Sequence, residues 1–77
     1  MNAYSQRIVA DHRVMLGKPV IKGTRITVEL ILRKLAQGAT PQDITQMYPR
    51  ITLEDISAVF LYAADVLANE EILDSAA

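Results

Sequence analysis

The chain contains 77 residues, of which 51% are apolar, and its net charge is −1. This length accommodates one domain, so we treat residues 1–77 as a single unit. The sequence has no cysteine and one histidine, which excludes disulfides and the nitrogen and sulfur ligand sets that zinc prefers. We therefore expect neither a metal nor another cofactor.

The small size also limits the hydrophobic core. A chain this short buries only ~60% of the surface that its unfolded form exposes. Small domains usually add disulfides, a metal or a partner subunit to reach stability. Because the composition excludes the first two, we predict a homodimer.

No segment of the sequence resembles an export signal or a membrane anchor. The N-terminal residues lack the apolar stretch of a signal peptide. The longest apolar run, Ala58 to Ala64, is far shorter than the ~20 residues of a membrane helix. We expect a cytoplasmic protein that does not contact a membrane.

Charge is distributed unevenly along the chain. All eight basic residues lie in residues 1–50 together with three acids, whereas residues 51–77 contain six acids and no base. Two interpretations remain open. Either the basic part forms a face that binds nucleic acid, or the surface is dipolar and its two halves attract each other.

Two short segments favour β-structure. Residues 7–10 and 19–28 are rich in Val, Ile and Thr, as strands commonly are. Lys22-Gly23, inside the second segment, suits a tight turn because glycine tolerates positive φ. A two-stranded hairpin is only marginally stable alone, so we expect it to pack on helices or on a second subunit.

The first two helices are predicted from their caps. Helix one runs over about residues 27–37, with Thr27 as N-cap and Gly38 following its C-terminus. Helix two starts at Thr40, with proline at its first helical position, and ends at Pro49. Both predictions rest on local signals at the helix ends.

The third helix is predicted over about residues 53–68, with Thr52 as N-cap. Its predicted buried seam has steps of three and four residues and consists of Leu53, Ile56, Phe60, Ala63 and Leu67. Other apolar side chains lie off this seam, so the helix is apolar on more than one face. A second surface should cover it, which again favours a dimer.

The order of helix, short helix, turn and longer helix is typical of a helix-turn-helix. The predicted fold class is mainly α, with a short N-terminal β-hairpin followed by a three-helix, helix-turn-helix-like bundle. In this motif the last helix reads the major groove, yet here its first turn contains Glu54 and Asp55, which phosphates repel. We interpret these acids as capping residues and the helix as a poor recognition helix.

The hairpin is a better candidate for contact with nucleic acid, because a two-stranded ribbon fits a major groove. The candidate contact residues are Arg7, Arg13, Lys18, Lys22 and Arg25. An alternative remains for the lysines, which also keep sheet edges soluble. For Arg25 the alternative is a structural salt bridge with Glu29, four residues further along.

No catalytic constellation is present in the sequence. His12 stands beside Asp11 without a nucleophile pattern, which is typical of a surface histidine. No Gly-rich phosphate loop of the P-loop or dinucleotide type occurs. We therefore predict that the protein is not an enzyme.

Residues 17–28, GKPVIKGTRITV, resemble the hallmark of the domain-of-unknown-function family 433. Gly38, Tyr48-Pro49 and the helix that begins at Leu53 resemble the rest of that domain. The resemblance spans about residues 6–68 and leaves a short acidic tail, residues 69–77.

This resemblance implies a small, usually dimeric bacterial protein with a homeodomain-like or winged helix-turn-helix core. Such proteins are commonly treated as antitoxins of the VapB type, encoded beside a toxin with a PIN-like nuclease fold. The resemblance implies no catalytic residues. It gives the tail acids Glu70, Glu71 and Asp74 a candidate role on a basic, RNA-binding nuclease surface; the alternative is a frayed terminus.

Two functions follow as hypotheses. The first is a dimeric, antitoxin-like regulator that binds a PIN-like nuclease toxin and also DNA. The second is a protein-interaction and dimerisation module with no role on nucleic acid, in which the uneven charge serves assembly alone. The salt dependence of DNA binding separates the two.

Overall fold

The computed structural model describes residues 4–69. In chain order it contains strands β1 (Ile8–Val9) and β2 (Val20–Ile21), followed by helices α1 (Val28–Ala36), α2 (Pro41–Met47) and α3 (Leu53–Ala68). The predicted fold class, mainly α with a short N-terminal hairpin, is confirmed. None of the helices in this part of the chain combines the length and apolar character needed to cross a bilayer.

The two strands pair antiparallel, with Ile8 opposite Ile21 and Val9 opposite Val20. Their connection contains a single 3-10 turn, Met15–Gly17, in which all three residues have positive φ, of 49°, 58° and 85°. Leu16 lies at the centre of this turn and is 93% exposed. The left-handed backbone is unfavourable at a non-glycine residue.

The predicted Lys22-Gly23 turn is present directly after β2. The Thr24 N–H donates to the Ile21 carbonyl at 3.0 Å, and Gly23 has a φ of 80°, a value that glycine adopts without the Cβ clash of other residues. The chain then runs back alongside β2, because the Ile21 N–H donates to the Ile26 carbonyl at 3.0 Å. Residues 19–28 thus lead directly into α1.

Each helix begins at the threonine that the sequence predicted. The Thr27 hydroxyl accepts from the Leu30 N–H at 3.0 Å. Thr40 forms a reciprocal capping box with Asp43, and Thr52 forms one with Asp55. Each box satisfies two backbone N–H groups that the first helical turn leaves without a partner, so the starts of α2 and α3 are fixed locally.

The predicted buried seam of α3 is right at Ile56, which is buried, but wrong at Leu53, Phe60 and Leu67. The buried residues of this helix are Asp55, Ile56, Ala58 and Val59. By contrast, Leu53, Phe60 and Leu67 are 47%, 49% and 60% exposed. Asp55 faces inward, where it accepts from Arg7, and the residues one, three and four positions later share its buried face. The apolar periodicity of α3 could not distinguish the predicted buried face from the observed one, because the helix is apolar on more than one face.

The core consists almost entirely of β-branched side chains. Its members are Ile8, Val20, Ile21, Val28, Ile31, Ile44, Ile51, Ile56, Ala58 and Val59. Isoleucine and valine have few χ1 rotamers, so burying them costs less conformational entropy than burying long unbranched side chains. No leucine of the described residues belongs to this buried set, and Leu16, Leu53, Leu61 and Leu67 are exposed instead. The leucines therefore remain accessible to a partner.

Candidate functional site

Three of the five residues predicted to contact nucleic acid form ion pairs within the chain. Arg7 donates from Nη1 to Asp55 Oδ1 at 3.0 Å, and Asp55 is buried. Arg13 donates to Asp11 through both Nε (3.1 Å) and Nη2 (2.9 Å). Lys18 Nζ lies 3.4 Å from Glu29 Oε1. Arg7 and Arg13 are each neutralised by an acid of their own, whereas Lys18 shares Glu29 with Arg33. Arg7 in addition connects the start of β1 to α3.

Lys22 and Arg25 have no ion-pair partner within residues 4–69. The expected salt bridge between Arg25 and Glu29 is wrong, because Glu29 instead accepts from Arg33, one helical turn later, and from Lys18. Both unpaired residues belong to the segment around the Gly23 turn and are exposed. Of the five predicted residues, these are the two whose charge no acid within residues 4–69 neutralises.

Arg50, which was not among the residues predicted to contact nucleic acid, lies beside the same turn. A Cβ atom built on Gly23 would lie 3.7 Å from Arg50 Nη2. Arg25 and Arg50 line one groove of about 450 Å³ together with Val9, Asp11, Val14, Val20, Gly23 and Thr24; we call it the basic groove. No local signal could place Arg50 there, because it follows α2 and reaches the turn only through the fold.

Asp11 lies in the wall of the basic groove, but the Arg13 guanidinium neutralises its charge. Its carboxylate accepts from the Arg13 side chain and also from the Arg13 backbone N–H at 2.9 Å. These hydrogen bonds hold the pKa of Asp11 below its ordinary value, because they stabilise the ionised form. The pair is neutral as a whole, so the groove keeps the positive charge of Arg25 and Arg50.

A second groove, between α1 and α3, is apolar. It has a volume of about 500 Å³ and continues into a smaller depression of about 240 Å³; we call the two together the apolar groove. Its apolar lining consists of Pro19, Val28, Leu32, Ala36, Tyr62, Ala63, Val66 and Leu67. Uncovered apolar surface of this kind marks a site of association in a small soluble domain.

One edge of the apolar groove carries a three-residue ion-pair network. Glu29 lies between Lys18, at 3.4 Å, and Arg33, whose Nε donates at 3.1 Å. Its pKa is lowered, first by the hydrogen bond from Arg33 and then by the charge of Lys18. Two cations against one acid leave this edge with a net positive charge.

On the α3 side of the apolar groove, Tyr62 contacts the N-terminal segment. The Tyr4 hydroxyl donates to Asp65 Oδ2 at 3.0 Å, and its ring meets Tyr62 edge-on with centroids 5.4 Å apart. Desolvation and the bond to Asp65 raise the pKa of Tyr4. Asp65 thus places an acidic residue on α3 beside the Tyr4–Tyr62 contact, opposite in sign to the edge at α1.

The outer face of α3 points away from the core and is both apolar and acidic. Leu53, Phe60 and Leu61 are each about half exposed, and Glu54 is exposed between them. We call these four residues the outer face of α3. The predicted partner-binding acids Glu70, Glu71 and Asp74 lie outside the described residues. Within residues 4–69, no three histidine or acidic side chains come together as a metal-binding group.

Comparison with known proteins identifies the family. The model for the family described as "Protein of unknown function (DUF433)" matches residues 8–63, which contain both strands, α1, α2 and most of α3. The chain is also similar to an uncharacterized protein of Archaeoglobus fulgidus, with 61% identity over 28 residues that make up 36% of this chain and 78% of that protein. No solved structure matches the chain. Since the match covers well over half of its residues, the chain belongs to this family of proteins of unknown function.

Proposed function

We propose that the protein is an antitoxin-like regulator that acts as a dimer, binds a PIN-like nuclease toxin and contacts DNA. The observation that carries the proposal is the separation of three exposed surfaces. These are the apolar and acidic outer face of α3, the apolar groove between α1 and α3, and the unpaired cations at the Gly23 turn. Each surface suits a different partner.

The outer face of α3 is the proposed contact for the nuclease. Residues 51–69 contain no base, and Glu54 is the exposed acid of this face, since Asp55 is buried against Arg7. A nuclease needs a basic surface to hold RNA, and an acidic, partly apolar helix face complements it in charge and in hydrophobicity. Such a contact covers the RNA-binding surface and so suppresses the toxin.

The apolar groove is the proposed contact between two copies of the chain. Its edge at α1 is positive, through Lys18 and Arg33, and α3, on its other side, carries Asp65. A two-fold axis that places α3 of one copy against α1 of the other brings opposite charges together at both ends. Symmetric pairs of this kind are the commonest oligomers of soluble proteins.

The experiment that tests the proposal is co-expression with the product of the neighbouring gene, followed by size exclusion and an RNase assay. We expect a stable complex in which RNase activity is suppressed. Phe60→Ser should weaken the complex and restore RNase activity, because Phe60 is 49% exposed on the outer face. Leu16→Ser is the matched control, since Leu16 is 93% exposed on the loop between the strands. Free nuclease activity in the presence of excess wild-type protein contradicts the proposal.

A second candidate function is a protein-interaction module with no role on nucleic acid. The observation that favours it is the internal pairing of Arg7, Arg13 and Lys18, which removes three of the five residues predicted to bind phosphate. Titration with duplex DNA at several salt concentrations separates the two functions. A protein that binds phosphates loses affinity as salt rises, by a slope of about −0.9 per neutralised phosphate in log–log form. No binding at low salt favours the interaction module.

A further inference from the structure

We propose that the basic groove is a phosphate-binding site for the DNA backbone, in which Arg50 from the α2–α3 turn acts together with Arg25 and the Gly23 turn. This inference rests on the proposed contact with DNA and adds to it a defined site and a residue, Arg50, that the sequence did not indicate. The site is assembled from two parts of the chain that are distant in sequence.

The backbone of the turn offers donors to an anion. Within residues 4–69 the N–H groups of Gly23 and Arg25 have no hydrogen-bond acceptor. The neighbouring groups are used: the Thr24 N–H donates to the Ile21 carbonyl at 3.0 Å, and the Lys22 N–H donates to the Arg7 carbonyl at 2.8 Å. Free N–H groups in a tight turn are typical of phosphate-binding loops.

Side chains hold this turn in one shape. The Thr24 hydroxyl donates to the Ile21 carbonyl at 2.8 Å and accepts from the Ile26 N–H at 3.0 Å. Gly23 adds no side chain above the turn, so a ligand can approach its backbone closely. A turn that is already rigid before the ligand arrives loses little conformational entropy when it binds.

Two guanidinium groups complete the site. Arg25 and Arg50 line the same groove, neither has an ion-pair partner within the described residues, and Arg50 Nη2 lies over the open side of Gly23. Guanidinium groups bind phosphate oxygens with two parallel hydrogen bonds. Lys22, in the same turn and also unpaired, adds a third positive charge for a neighbouring phosphate.

The only acid in the groove wall does not oppose this role. Asp11 is held by three hydrogen bonds from Arg13, all of 3.1 Å or less, and its charge is neutralised by that residue. Arg13 is therefore a supporting residue that keeps Asp11 from pairing with Arg25 or Arg50. The groove remains positive, and an anion is the class of ligand that suits it.

The test is a salt titration of duplex DNA binding, by fluorescence anisotropy, with the full-length wild-type protein and single variants. Arg25→Ala and Arg50→Ala each remove an exposed side chain, so the fold should persist, which circular dichroism checks. We expect each variant to reduce the magnitude of the log–log salt slope by about 0.9 for each phosphate that a subunit no longer neutralises. Arg50→Lys should keep the slope but bind more weakly, because lysine keeps the charge without the two-pronged geometry.

Lys34→Ala is the matched control. It removes one cation that has no ion pair within residues 4–69 and does not line the basic groove, so the wild-type slope should remain. If wild-type protein binds DNA and the two arginine variants behave like Lys34→Ala, the phosphate site is wrong while DNA binding stands. If wild-type protein does not bind DNA, both the site and the DNA part of the proposed function are wrong. A weaker nuclease complex with an unchanged DNA slope assigns the groove to the protein partner and also overturns the inference.

Discussion

Single residues of the same type have different roles in this protein, and the arginines illustrate this. Arg7 is paired with the buried Asp55, Arg13 with Asp11, and Arg33 with Glu29. Arg25 and Arg50 have no such partner in the described part of the chain. A paired arginine is a poor phosphate ligand, since releasing it leaves its carboxylate uncompensated. The pairing therefore decides which arginines are available to a ligand.

Arg7→Ala tests whether Arg7 has a structural role. We expect it to lower the free energy of unfolding by about 1–2 kcal/mol, because Asp55 loses a charge-assisted hydrogen bond in a partly buried site. Urea denaturation at fixed protein concentration measures the change. Arg13→Ala, at an exposed pair, is the control and should change stability little. DNA affinity that falls in Arg7→Ala without any loss of stability would show that the nucleic-acid assignment of Arg7 is right.

Glu29 makes stability depend on pH in the acidic range. Arg33 and Lys18 lower its pKa in the folded protein, so its ionised form stabilises the fold. This contribution is fully present above the ordinary glutamate pKa and is lost as the pH falls through the lowered value. In Arg33→Ala, NMR titration should show the pKa of Glu29 moving back toward its ordinary value. An unchanged pKa would mean that Arg33 does not contact Glu29 in solution.

At the scale of elements, the helix starts and the orientation of α3 have different causes. The starts depend on hydrogen bonds between residues three apart, as in the Thr52–Asp55 box. The orientation depends on contacts across the fold, since Asp55 also accepts from Arg7, 48 positions away in the sequence. Helix α3 is apolar on several faces, so its burial pattern follows this contact.

The orientation of α3 is testable with two adjacent residues. Val59 is fully buried and Phe60 is 49% exposed. We expect Val59→Ala to lower the free energy of unfolding by about 2 kcal/mol, through reduced burial and a small cavity. Phe60→Ala, the larger truncation, should cost the isolated protein less than about 0.5 kcal/mol, as exposed substitutions do. If thermal or urea denaturation shows that Phe60→Ala destabilises the protein more than Val59→Ala, the buried seam that the sequence predicted is right.

At the scale of the whole molecule, a small β-branched core leaves much apolar surface uncovered. Leu32 and Tyr62 are only partly buried, and Leu67, further along the apolar groove, is 60% exposed. A domain of this size buries too little surface to be robust alone, and a second copy in the groove would add to the buried area. The proposed dimer would therefore add stability as well as serve the proposed function.

Leu67→Asp tests the dimer. A carboxylate introduced into an apolar interface is costly to bury, so we expect self-association to weaken by about tenfold or more. Sedimentation equilibrium measures the dissociation constant, and circular dichroism checks that the monomer remains folded. Leu16→Asp introduces the same charge at an exposed residue that does not line the groove and should leave self-association unchanged. A wild-type protein that is monomeric at all concentrations would contradict the proposed dimer.

The sequence by itself determined the features that depend on near neighbours. Thr27, Thr40 and Thr52 each begin a helix because their hydroxyls bond a backbone N–H three residues later. Gly23 forms the predicted turn because its backbone accepts a positive φ. These interactions are complete within four residues, so local chemistry is sufficient to predict them. The hallmark residues 17–28 likewise indicated the family that the match over residues 8–63 confirms.

Only the tertiary structure decided how distant residues meet. In the folded chain Arg7 pairs with Asp55, and Glu29 accepts from both Lys18 and Arg33. Arg50 lies beside the Gly23 turn. The choice of an ion-pair partner depends on distances across the fold, which sequence spacing does not encode when several cations and few acids compete. For the same reason the buried face of α3 followed from its packing against the rest of the chain and not from its own periodicity.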